Sequence, residues 1–202
     1  MMRLVRRVPI LRKFALERAI KAREQKRQKD WAYVQSVLAT VGLITINWAG
    51  IERLLDELIA SYQHSHTDLS CKHPRMLSSK LDYLKMMERD DRLHTKTREF
   101  LRDTRITAKR LGDNRHDIIH GLLHRVPGQH SITWRTQRII YEGPTARAVE
   151  REYHNKTLAD IGAEIADFSN WISPKVWVMT RTDYSVFPAS EIEKALDELG
   201  MV

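Results

Sequence analysis

Cysteine is nearly missing from this chain: Cys71 stands alone among 202 residues. A lone thiol cannot pair within the chain, so there is no disulfide framework and a reducing, cytoplasmic setting is expected. A long apolar run is missing too. The most apolar stretch, "VLATVGLITI" at 37–46, is too short to span a bilayer and is followed by Glu52 and Arg53, so no transmembrane segment is expected. The start, "MMRLVRRVPILRKF", places Pro9, Arg12 and Lys13 where a secretory signal needs unbroken apolar character, and it offers no small-residue cleavage site. Internal repeats and low-complexity blocks are absent. So is any charge excess beyond the first thirty residues. Residues 1–30 hold eleven Lys/Arg against three acids, while the other 172 balance at 23 against 23. The net charge of +8 belongs to an N-terminal arm, and a surface built throughout for nucleic acid is not indicated.

What is present is apolar residue in quantity, 42% of the chain, and enough length for one domain with appendages. Residues 10–30 read as a basic helix, either a solvated arm or a contact for polyanions such as RNA or lipid phosphates. Over 31–63, Val34, Val41, Trp48, Leu55 and Tyr62 recur every seven residues, with Leu38, Ile51, Leu58 and Ile59 on the same side. That spacing predicts a long helix packed nearly parallel to another, with Gly42 and Gly50 allowing close approach. Leu77, Leu81, Leu84 and Met87 mark a second helix after Pro74. A third runs from Leu93 through Phe100, Thr104, Ala108 and Leu111, capped by Asp90 or Asp91, bent at Gly112 and ended near Gly121. Residues 131–143 and 146–154 read as two strands of a hairpin around Gly143-Pro144. A fourth helix carries Leu158, Ile161, Ile165, Phe168 and Ile172, begins with Asn155 or Thr157 as cap, and is expected to stop at Pro174. Ser190 and Glu193 fit a capping box opening a last helix. The organisation is mainly α: a basic helical arm at 1–30, a helical domain at 31–173 and a C-terminal accessory segment at 174–202.

Chemistry concentrates in "GDNRHDIIHGLLH", Gly112 to His124. Three readings stay open on the residues alone. The structural one takes His120 and His124 as positive charge at a helix end, where unpaired carbonyls are partly negative, with Asp113 or Asp117 pairing Arg115. The metal one notes His116, His120 and His124 at four-residue spacing, which on an unbroken helix would line one face. Against it, H-E-x-x-H is absent and the one cysteine is remote. The third is RNA cleavage without metal or other cofactor. Arg115 holds a permanent planar charge suited to a phosphodiester, and His120 exchanges protons near neutral pH. A base at the 2′-hydroxyl beside a cation on the phosphate suffices for attack on phosphorus. Five positions on a regular helix leave two side chains roughly 140° apart. Arg115 and His120 are therefore expected to converge only if the helix loosens near Gly121 or a second copy brings its own pair. Trp134, Tyr141 and Tyr153 on the hairpin read as packing residues before base-stacking ones.

"RHDIIHG" (115–121) resembles the signature of the HEPN superfamily: arginine, a polar residue, a short spacer, histidine, often glycine. "INWAGIERLLDELI" (46–59) and "SSKLDYLKMM" (78–87) are similar to the first two helices of such domains, so the resemblance covers roughly 31–173. It implies an up-and-down helical bundle with a β-hairpin insertion after the third core helix. It also implies a metal-independent endoribonuclease whose site is shared by two protomers, leaving 2′,3′-cyclic phosphate ends. Carried over position by position, Arg115 is the motif arginine, His120 the motif histidine, and His116 stands where asparagine is commoner. RNA as substrate, a homodimer, and a toxin or phage-defence role with an antitoxin or other protein partner are what the resemblance implies. The family also holds members that bind without cutting, so a non-catalytic helical dimer serving as an interaction or RNA-binding module is the alternative.

Overall fold

A computed structural model describes residues 8–66, 72–120, 122–125, 133–142, 145–180 and 187–201; the side chains of 8–15, 122–125, 138, 140–142 and 155 lie outside that description. The chain forms two compact units, Met1–Ala39 and Thr40–Val202. Helix α1 (Val8–Ser65) contributes its first part to one unit and its remainder to the other. Then come α2 (Leu77–Met87), α3 (Thr95–His120), β1 (Leu122–Arg125), β2 (Thr133–Glu142), β3 (Thr145–His154), α4 (Asn155–Thr180) and α5 (Ala189–Leu199). The fold is mainly helical, with a small antiparallel sheet.

The predicted seven-residue stripe on α1 holds in the second unit. There Ile44, Trp48, Ile51, Leu55, Leu58 and Tyr62 are buried at alternating three- and four-residue steps, with Leu54 and Ile59 beside them. Leu38, expected on that stripe, is 59% exposed and belongs to the other unit. Gly42 meets nothing within 4 Å, so it does not serve close approach; Gly50 comes within van der Waals reach of Ser169. Part of α1 is long and apolar enough to cross a membrane by length and composition, and Ile44, Trp48 and Ile51 within the helix are core residues. The expectation of no span rested on the uninterrupted run 37–46 alone.

Helix α2 closes on this stripe through Tyr83, Leu84 and Met87, and α3 through Phe100, Leu101, Ala108, Leu111 and Ile118. Gly112 does not bend α3. It lies where the helix passes closest to its neighbours: a Cβ there would sit 2.6 Å from Leu77 Cδ2 and 3.2 Å from the Trp48 ring. Asp90 does not cap α3, which starts at Thr95. It accepts from the Arg92 backbone N–H (3.0 Å) and Nε (2.9 Å) and from the Tyr62 hydroxyl, so it is held in the preceding turn.

The hairpin is as expected, with β2 and β3 paired from Thr133↔His154 to Glu142↔Thr145. The sequence reading missed β1, which pairs with the other edge of β2. Trp134 and Tyr153 face each other in the register and are 7% and 5% exposed, so they are packing residues. Gly121, Gly143 and Pro144 lie outside the described residues, as do Cys71 and the side chain of Tyr141.

Helix α4 begins at Asn155, immediately after β3, which places Thr157 inside the helix rather than at its cap. Leu158, Ile161, Ile165, Phe168 and Ile172 are all buried, as their spacing predicts. Pro174 does not end the helix, which continues to Thr180. A proline inside a helix removes one hydrogen bond and costs about 3 kcal/mol. Burial of Ile172, Val176 and Val178 on both sides of it offsets that cost. Lys175 adds to this: its Nζ donates to Trp171 O (3.1 Å), lies over the Trp171 ring, and pairs with Glu198 of α5 at 2.6 Å. The capping box at Ser190 is not formed. The N-cap position is Pro188, whose carbonyl accepts from Glu191, and Ser190 is already helical. Gly200 closes α5 at φ 70°, in the left-handed region that favours glycine.

Candidate active site

The last turns of α3 collect the residues singled out in the sequence. Asp117 and Ile118 point inward, each 2% exposed. Arg115 is half-buried, and His116 and His120 are exposed. Burial of the apolar and acidic side therefore fixes which way the basic side faces.

Arg115 and His120 meet within one regular helix, contrary to the expectation that they need a loosened turn or a second copy. Arg115 Nη1 lies 3.3 Å from His120 Nε2. The reason is reach and tilt. Five residues rise only about 7.5 Å, and helical side chains lean toward the N-terminus, so the His120 ring falls back over the preceding turn. The long arginine spans what remains. A guanidinium only donates hydrogen bonds, so His120 Nε2 accepts in this contact and keeps its proton on Nδ1. His116, one turn back, holds its ring 4.7 Å from that of His120, tilted by 49°. Arg115 Nε is buried and makes no hydrogen bond among the described residues.

The hairpin is tied to this helix end by a pair that sequence reasoning did not single out. Arg151 on β3 places Nη1 2.6 Å from Asp117 Oδ2, and Asp117 is buried. Asp117 is thus committed to Arg151 across the hairpin, and the expected pairing of Asp117 with Arg115 is not formed. The signal available in sequence was the alternation Val149, Arg151, Tyr153: it puts Arg151 on the same face as buried Tyr153.

His124 lies on β1 and not on α3, so the helical face that would have carried three imidazoles stops at His120. The side chain of His124 is outside the described residues. Among the described residues no group of three His, Cys, Asp or Glu side chains is placed to hold a metal ion. What Arg115, His116 and His120 form together is an exposed cationic and imidazole surface at a helix end. A basic lone pair stands next to a fixed positive charge, which is the donor set for binding and activating a phosphodiester. No protein-family model matches the chain, and neither a curated protein nor a solved structure matches it.

Proposed function

We propose that this protein is a metal-independent endoribonuclease of the HEPN kind, acting as a toxin or defence effector. The observation that carries the reading is the 3.3 Å contact between Arg115 Nη1 and His120 Nε2, with the His116 ring beside it on the same exposed surface. In the proposed reaction His120 Nε2 takes the proton from a ribose 2′-hydroxyl. The freed oxygen attacks the adjacent phosphorus, forming the O2′–P bond. Arg115 leaves its resting contact with His120 to hold the phosphoryl oxygens as negative charge builds on them. The P–O5′ bond breaks, and a protonated imidazole, His116 or the histidine of a second copy, returns a proton to the leaving oxygen. The products are a 2′,3′-cyclic phosphate and a 5′-hydroxyl. The basic arm of residues 1–30 supplies sequence-independent attraction to the RNA backbone.

The test is cleavage of a mixed RNA pool in EDTA, wild type beside His120→Ala. The expected result is cutting by the wild type, cyclic phosphate ends, and a loss of about a hundredfold or more in the variant. Equal cutting by both, or none by a folded wild type, overturns the reading.

A further inference from the structure

Helix α1 within the first unit carries an apolar face that nothing in that unit covers. Ile20, Trp31 and Leu38 are 49%, 62% and 59% exposed. With half-buried Val34 and exposed Glu24 and Arg27 they occupy one seam: Glu24, Trp31 and Leu38 seven residues apart, and Ile20, Arg27 and Val34 interleaved, also seven apart. This is the spacing at which one helix buries a stripe against another in a two-stranded coil. A tryptophan and two aliphatic residues on a solvated helix face are the usual content of a contact surface.

The two charges inside the seam decide what covers it. In a parallel pair of identical helices each seam position meets itself, so Glu24 would face Glu24 and Arg27 would face Arg27. Reversing one helix brings alternate seam positions together. Glu24 then meets the partner's Arg27, and Ile20 meets the partner's Trp31, each twice by symmetry. The seam is self-complementary in charge only in that direction. A bilayer surface fits less well, because Glu24 sits in the middle of the apolar face and Arg18, Lys26 and Lys29 occupy outer positions of the repeat.

We infer that the first unit is a self-association arm: residues 20–38 of α1 pair antiparallel with the same segment of a second copy, with Glu24–Arg27 ion pairs setting the direction. This stands apart from the nuclease reading, since it concerns the arm alone and is read by association, not by cleavage.

The experiment uses the full chain in sedimentation velocity, with helicity and thermal midpoint recorded for every variant. The wild type is expected to be a dimer at micromolar concentration. Glu24→Arg and Arg27→Glu, each of which juxtaposes like charges, are expected to raise the dissociation constant about tenfold or more, and an equimolar mixture of the two variants to restore the dimer. A spin label at Ala39→Cys in a Cys71→Ser background fixes direction. Antiparallel pairing separates the two labels by about 40 Å along the axis, and parallel pairing sets them level. A wild type that stays monomeric, a dimer indifferent to both charge variants, or level labels overturns the inference. So does a monomer that floats with vesicles containing anionic lipid.

Discussion

Two polar clusters in this protein share an arginine, an acid and histidine against aromatic or imidazole rings, yet they are used differently. At the end of α1, the Tyr62 hydroxyl donates to Asp90, Arg92 grips the same carboxylate through Nε and Nη2, and His66 stacks on Tyr62 at 4.1 Å. The His66 Nδ1–H donates to the Tyr62 carbonyl at 3.0 Å. Each polar group there is spent on another group of the same cluster. At the end of α3, Arg115 and His120 meet only each other, Arg115 Nε is left over, and His116 and His120 face solvent. A closed cluster staples a turn; an open one retains donors and a basic lone pair for something that arrives. The lesson is that residue type does not separate structural from functional histidines, whereas the partners already taken do.

The sharpest way to break the comparison is to exchange effects between clusters. His120→Ala is expected to reduce RNA cleavage by about 10²–10⁴-fold with an unchanged thermal midpoint, because the side chain is exposed. His66→Ala is expected to lower the midpoint and leave cleavage alone. A His66 variant that abolishes cutting while staying folded would end the distinction. Arg151→Ala comes next. It strands buried Asp117, at about 2–4 kcal/mol of stability measured by urea unfolding, and it frees the hairpin from the motif helix. Arg151→Ala with Asp117→Asn should recover most of that stability, since a neutral amide needs no counter-charge. Gly112→Ala is expected to cost about 1–3 kcal/mol, because the new methyl group meets Leu77 and Trp48; unchanged stability would mean that α3 is less tightly seated than it is drawn.

The smallest effect is one of pH. Arg92, and then Tyr62, hold the Asp90 carboxyl well below the usual carboxylate range. A lowered folded value contributes stability that is present above about pH 4, the unfolded value, and is lost as the pH falls further. Burial, and then the bond to Asp90, push Tyr62 up to about 12. A raised folded value contributes stability that is full below about pH 10 and is lost as the pH rises toward 12. Tyr62→Phe should flatten the alkaline arm of a stability–pH profile, weaken the acid arm, and cost about 1 kcal/mol near neutrality. An alkaline arm unchanged in Tyr62→Phe would assign it to another group.

The helices were legible where apolar spacing alone decides. The α4 stripe from Leu158 to Ile172 and the α1 stripe from Trp48 to Tyr62 were readable because burying a periodic face does not depend on which neighbour covers it. The hairpin was legible because two β-rich stretches flank Gly143-Pro144, a pair that breaks regular structure. Boundaries governed by competition were not legible. Pro174 should stop a helix by local rules, and the buried valines beyond it carry the helix through. Asp90 looks like a cap until Tyr62, distant in sequence, takes its carboxylate.

The sequence by itself determined which residues carry chemistry: a permanent cation, two imidazoles one turn apart, and an acid between them, at one end of one helix. It also determined that the excess charge lies in the arm, because counting charges requires no fold. Only the tertiary structure decided what those residues are free to do. Asp117 is taken by Arg151 because the hairpin folds back onto α3, and that leaves Arg115 to reach His120. Pairing across such distances in the chain depends on how elements pack. Packing is set by burial summed over the whole core and is not written in any seven residues.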